Sequence, residues 1–167
     1  MDDRYAPSQC LVYRDDGEAR FWVAPKSPRQ TRMFVARLLE GLEPWNECGL
    51  WRRGGYWPLR GRVGEWVGRF ACGDLAGAGI FVSRIERTSL LRLMMRQVIT
   101  GGCVEDDLFI IPDHGRAFLY VDHHDVIHAS FATPVAMEAF VTHMAQGGYE
   151  LPVELPDGTF KRPAWMT

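Results

Sequence analysis

The stretch Asp107-Leu-Phe-Ile-Ile-Pro-Asp-His-Gly-Arg-Ala-Phe-Leu-Tyr-Val-Asp-His-His-Asp-Val-Ile-His-Ala-Ser-Phe131 holds four of the chain's five histidines. Three apolar runs alternate there with two acidic, histidine-bearing turns. Asp, His and Gly suit tight turns, and short apolar runs bounded by such residues read as strands. The stretch is therefore expected to fold as an antiparallel β-meander. Helices are expected on both sides of it. Thr133-Pro-Val-Ala-Met-Glu-Ala-Phe-Val-Thr-His-Met-Ala145 opens with a Thr N-cap and a proline at the first helical position, and Gly147-Gly148 closes it. In Thr88-Ser-Leu-Leu-Arg-Leu-Met-Met-Arg-Gln-Val-Ile-Thr100, Leu90, Leu91, Met94, Met95 and Val98 recur at helical spacing, with Arg92 and Arg96 one turn apart on another face. Thr88 or Ser89 is the expected cap, and Gly101-Gly102 the stop.

Further from the meander the signals weaken. Gln9–Arg14 and Ala19–Ala24 flank Asp15-Asp-Gly-Glu18 and read as an opening hairpin. Pro25 and Pro28 then end extended pairing, because proline cannot donate to a ladder. Thr31 is a candidate cap for a helix ending near Gly41, with Met33, Phe34, Leu38 and Leu42 on one apolar face. Residues 45–79 place four tryptophans among many glycines. Trp51-Arg-Arg-Gly-Gly-Tyr-Trp57 reads as strand–turn–strand. Ile80-Phe-Val-Ser83 suits either a strand or the lead-in to a helix. Residues 149–167 are expected to form an extended C-terminal strap pinned by Phe160 and Trp165. Hairpins and a meander alternating with about three helices specify an α+β fold. It would be a single globular domain over 1–167, with an antiparallel sheet and the helices packed against it.

Composition bounds the function classes. The chain has 167 residues, 47% apolar and 24% charged, ordinary values for a protein with a buried core. Its N-terminus lacks a basic region followed by an apolar one, and no run approaches a bilayer-spanning length, so a cytoplasmic protein without membrane contact is expected. Cys10, Cys48, Cys72 and Cys103 are scattered with no Cys-x-x-Cys pair, which argues against a zinc ribbon and for reduced, buried thiols. The net charge of −2 is the sum of three unequal parts: −1 over 1–48, +6 over 49–100 and −7 over 101–167. The basic and acidic parts either neutralise each other within the fold, or the acidic part faces a basic partner.

Three kinds of chemistry fit the patterns. The first is a metal-dependent hydrolase built on His114, His124 and His128 with nearby aspartates within 113–128. His124 and His128 would share a strand face, but no ligand spacing such as His-Glu-x-x-His is present. Histidines facing water in a turn are the simpler reading, so neither a metal nor another cofactor is expected. The second is nucleic-acid binding by Arg52, Arg53, Arg60, Arg62 and Arg69, interleaved with Trp51, Tyr56, Trp57, Trp66 and Phe70. A pI near 6.2 argues against a dedicated binder, so nucleic acid is not the expected partner. The third is a protein that acts by contact. No nucleophile elbow, phosphate loop or dinucleotide fingerprint is present, and a non-enzymatic role is expected.

The last third supplies a resemblance. The meander, the helix started by Thr133-Pro134, Gly147-Gly-Tyr-Glu-Leu-Pro152 and the Phe160-Lys-Arg-Pro-Ala-Trp165 ending resemble small bacterial immunity proteins encoded beside secreted polymorphic toxins, including those of type VI secretion. The likeness covers Asp107 to Trp165 and leaves the first two thirds unmatched. It implies a non-enzymatic cytoplasmic protein that neutralises a cognate toxin by covering its active site. Such inhibitors meet their toxins through complementary charge. The expected contact set for a basic toxin cleft is then Glu105, Asp106, Asp107, Asp113, His114, Asp122, His123, His124 and Asp125.

Overall fold

β4 (Leu108–Pro112) pairs antiparallel with β5 (Ala117–Val121), and β5 pairs antiparallel with β6 (Val126–Phe131). The meander is present as read. The structure, a computed structural model, describes residues 18–25, 27–52, 80–100, 107–121, 126–154 and 160–161. The turn between β4 and β5 follows from its residues. Gly115 has φ 63°, a left-handed conformation that glycine takes without a Cβ penalty, and its N–H donates to Pro112 O at 3.0 Å.

Three further strands complete a six-stranded sheet: β1 (Glu18–Val23), β2 (Glu47–Arg52) and β3 (Ile80–Ser83). The strand order is β1-β6-β5-β4-β2-β3, and every neighbouring pair is antiparallel. Ile80–Ser83 is thus a strand rather than a helix lead-in. Residues 9–17 of the expected opening hairpin and 53–57 of the tryptophan turn lie outside the described residues. Their companion segments are β1, which joins β6, and β2, which sits between β4 and β3. In the tail, β7 (Val153–Glu154) and β8 (Phe160–Lys161) form a small antiparallel ladder of their own, so this part of the expected strap turns back on itself.

Three helices pack on one side of the sheet: α1 (Pro28–Gly41), α2 (Arg87–Thr100) and α3 (Pro134–Gln146). The chain is α+β. Phe34, Leu38 and Leu39 of α1, Leu90 and Met94 of α2, and Met137, Phe140 and Met144 of α3 share one buried cluster with alternate sheet residues. The sheet contributes Trp22, Leu50, Val82, Ile110, Leu119, Ile127 and Ala129 to it. Fully burying side chains of this kind contributes about 1.5–3 kcal/mol each before chain entropy is counted. Among the described residues, no helix is long and apolar enough to cross a membrane.

Two helix starts differ from expectation. α1 begins at Pro28, capped by Ser27, whose hydroxyl accepts from Gln30 N–H. Pro28 therefore starts the helix, at the position where a missing N–H costs nothing. Thr31 is buried inside α1, with its hydroxyl donating to the Pro25 and Ser27 carbonyls. α2 follows directly from a 3-10 turn, Arg84–Glu86, so Thr88 and Ser89 lie inside the helix rather than capping it. α3 starts as expected, with Thr133 accepting from Ala136 N–H. Its end is a Schellman motif: Gly148 at φ 83° donates to Ala145 O, and Tyr149 N–H reaches Met144 O.

α1 and α3 are locked together across the sheet. The Arg37 guanidinium donates to His143 O at 2.7 and 3.0 Å, and His143 Nε2 donates back to Arg37 O at 3.0 Å. A carbonyl only accepts, so the Nε2 proton of His143 is fixed by this bond. The close approach needs Gly41. A Cβ there would stand 2.5 Å from Phe140 Cε2 and 2.9 Å from His143 Cδ2. Phe140 cannot yield easily, because its ring is buried edge-on against Trp22 at 5.5 Å and beside Phe131 at 4.9 Å. Gly41→Ala gains about 1 kcal/mol of helix propensity. We expect it to lose more through overpacking of about 1–3 kcal/mol, giving net destabilisation in urea unfolding. A stabilised variant would show that the two helices separate without cost.

Candidate functional site

Two places gather the side chains that chemistry would use. One is the turn between β4 and β5 with the adjoining start of β2. The other is the sheet face opposite the helices. The registers dictate both.

At the turn, Asp113 and His114 fasten neighbouring backbone. Both Asp113 carboxylate oxygens accept from Asn46 N–H, at 3.2 and 3.3 Å, and Asp113 N–H donates to Glu47 O at 2.8 Å. His114 Nδ1 accepts from Arg116 N–H at 3.0 Å, which leaves the ring proton on Nε2, 3.2 Å from Leu42 O. Both imidazole nitrogens are thereby used, so His114 has no lone pair to offer a metal in this arrangement. Glu47 is exposed beside this turn, and Cys48 is buried behind it. Burial, and then the negative charges of Asp113 and Glu47, raise the Cys48 pKa far above the usual thiol range. The thiol is inert at neutral pH.

The second place follows from strand alternation. Phe21, His128, Tyr120, Phe109 and Trp51 lie opposite one another on successive strands β1, β6, β5, β4 and β2. They form a row on the face away from the helices. Phe109 stacks on Tyr120 at 4.6 Å between ring centroids, and Tyr120 lies 5.3 Å from the His128 ring. Tyr120 donates to Asp107 Oδ2 at 2.6 Å, and Asp107 is fully buried. Ile111, Phe118 and Tyr120 form a second, smaller buried cluster here, with Phe81 and Phe109 packed against it. Phe118 is 1% exposed and Tyr120 8%, so the middle of this face is core and not an open platform for stacking bases.

The expected contact set is divided by these observations. Asp107 is corrected: it is buried on this face, bonded to Tyr120, and does not present its charge to a partner. Alternation puts Asp107, one residue before Leu108, on the same face as Phe109 and Tyr120, away from the helices, and packing on that face buries it. Asp113 and His114 stay partly exposed at the turn. Glu105, Asp106, Asp122, His123, His124 and Asp125 lie outside the described residues, as do Arg53, Arg60, Arg62 and Arg69 of the arginine–tryptophan segment. Of the histidines considered as metal ligands, His114 and His128 are on different parts of the sheet. Among the described residues no three of His, Cys, Asp and Glu converge as a metal site.

Sequence reading missed two things. Tyr120 reads as one residue of an apolar run, although its place opposite His128 and diagonal to Asp107 follows once the register is known. The ion-pair network around α1 was missed as well. Glu43 meets Arg84 at 2.6 Å and Arg87 at 3.4 Å, while Glu40 lies 3.6 Å from both Arg37 and Arg87. Arg84 and Arg87 are thus neutralised by acids of the first segment, not by the acidic C-terminal part. These pairs are solvent-accessible and contribute at most about 1 kcal/mol each.

Removing the Tyr120 hydroxyl takes a donor from a buried carboxylate. Tyr120→Phe should lower stability by about 1–3 kcal/mol in chemical denaturation, while Asp107→Asn, which keeps an acceptor, should cost less. Equal stability of Tyr120→Phe and the parent would show that the pair contributes nothing. Cys48 gives a pH test. Its folded pKa is raised, so its stabilising contribution is whole below the ordinary thiol pKa of about 8.5 and is lost as pH climbs from there toward the folded value. Peptide mapping should find Cys48 unlabelled by iodoacetamide in the folded protein at about pH 8.5 and labelled after unfolding. The alkaline fall in stability should be shallower in Cys48→Ala.

No protein-family model, curated protein or solved structure matches the chain.

Proposed function

We propose that the chain is a cytoplasmic, non-enzymatic immunity protein that binds a cognate bacterial toxin and covers its active site. One observation carries the reading: the described side chains best suited to chemistry are committed to holding the scaffold. Asp107 is bonded to Tyr120, Asp113 to Asn46, His114 to two backbone groups and His143 to Arg37. A protein whose polar residues rigidify its own surface is suited to act by docking, because a preformed surface loses little entropy on binding.

The acidic balance of residues 101–167 and the likeness of Asp107–Trp165 to toxin-immunity proteins add the partner's chemistry, a basic cleft. Within the described residues the contact edge is Asp113 and His114 with the neighbouring Glu47. Charge on such a rim steers encounter more than it adds affinity.

The test is co-expression with the product of the adjacent reading frame. That product is expected to arrest growth alone, to be tolerated with this chain, and to co-elute with it as a complex. A neighbour that is harmless by itself ends the toxin reading. In the complex, Glu47→Gln with Asp113→Asn preserves the acceptor that holds Asn46 but removes two charges. Association at low salt should slow several-fold, with little change in dissociation. An unchanged association rate would place the contact elsewhere.

A further inference from the structure

α1 and α2 run antiparallel along one another. Glu40 and Glu43, at the end of α1, meet Arg84 and Arg87 at the entry to α2, so the start of α1 lies beside the end of α2. Helical spacing then decides what faces outward. On α1, Thr31, Phe34, Val35, Leu38 and Leu39 are buried, while Pro28, Arg29, Gln30, Arg32, Met33 and Glu40 are exposed. On α2, Leu90, Leu93, Met94, Gln97 and Val98 are buried, while Thr88, Arg92, Arg96 and Ile99 are exposed.

The two helices carry six arginines and one acid, Glu40, which Arg37 and Arg87 already neutralise. Arg29, Arg32 and Arg92 have no carboxylate partner among the described residues. Interleaved with them are Met33 and Ile99, 58% and 46% exposed, two of the few large apolar side chains that the described surface leaves open. We propose that this outer face of the α1–α2 pair is a second docking surface, which receives an acidic amphipathic helix of a protein partner. Its apolar anchors would rest on Met33 and Ile99, and its flanking carboxylates would meet Arg29, Arg32 and Arg92.

The mixture of residues selects that occupant. Two antiparallel helices present a groove into which a third helix lays its apolar side. Arginine and methionine are enriched where proteins meet. A nucleic acid would use the arginines but leave the apolar pair without a role, and the whole chain carries net charge −2. This face is opposite in sign to the Asp113–Glu47 edge, so it does not depend on the toxin reading.

The test uses the full chain, isotopically labelled for NMR, and a synthetic amphipathic helical peptide with leucines at i, i+3, i+4 and i+7 flanked by glutamates. Binding is expected, with shifts confined to α1 and α2. The Arg29→Glu, Arg32→Glu, Arg92→Glu variant should weaken it about tenfold or more through lost and reversed charge pairs. Met33→Ser should weaken it too, while Glu47→Gln with Asp113→Asn should leave it unchanged. All of these positions except Asp113 are exposed, and circular dichroism confirms folding of each variant. The proposal fails if the glutamate peptide does not bind, or if a lysine version binds equally well. It fails too if the triple variant binds like the parent. Tighter binding of a single-stranded oligonucleotide or of phosphatidylglycerol vesicles than of the glutamate peptide would also overturn it.

Discussion

Burial of one face of the β4–β5–β6 meander by three helices is the constraint on which the molecule rests. Leu108, Ile110, Leu119, Val121, Ile127 and Ala129 point to that side by strand alternation, and helix residues from all three helices close over them. Because the side-chain period is two, a slip of one residue in any strand would exchange this set for Phe109, Tyr120 and His128. The core therefore fixes the registers. The registers in turn set Tyr120 opposite His128 and beside Asp107.

The helices are held by different devices, each suited to its exposure. Arg37 and His143 exchange hydrogen bonds between α1 and α3 in a half-buried seam, where Gly41 allows close approach. Around α1 and α2 the tie is a solvated network of Glu40, Glu43, Arg84 and Arg87, which orients more than it stabilises. One consequence is a polarised helix surface. The acids of α1 and its exit are spent internally, and arginines near the far end remain open to a partner.

The functional proposals divide along the same line. The edge at Asp113 and Glu47 is acidic and rigid because its residues also close a turn. The outer helix face is basic and partly apolar because the inward faces took the remaining apolar residues. The two proposed surfaces, opposite in sign, would select a partner on one while meeting a different acidic segment on the other.

The residues by themselves determined the local elements wherever one periodicity or one cap dominated. The alternating apolar runs from Asp107 to Phe131 specify strands, Thr133-Pro134 starts α3, and Gly147-Gly148 ends it. Asp113 and His114 were legible as turn residues for the same reason. Local signals failed where two readings competed: Ser27-Pro28 against Thr31 for the start of α1, or a cap against a 3-10 turn before α2. Only the tertiary structure decided which acids face water. In the sequence Asp107 reads like its neighbours Glu105 and Asp106, but register and packing bury it against Tyr120 on the face away from the helices. The cause is physical: a turn or a cap is chosen by the few residues around it, whereas burial of a charge depends on strands far away in the chain.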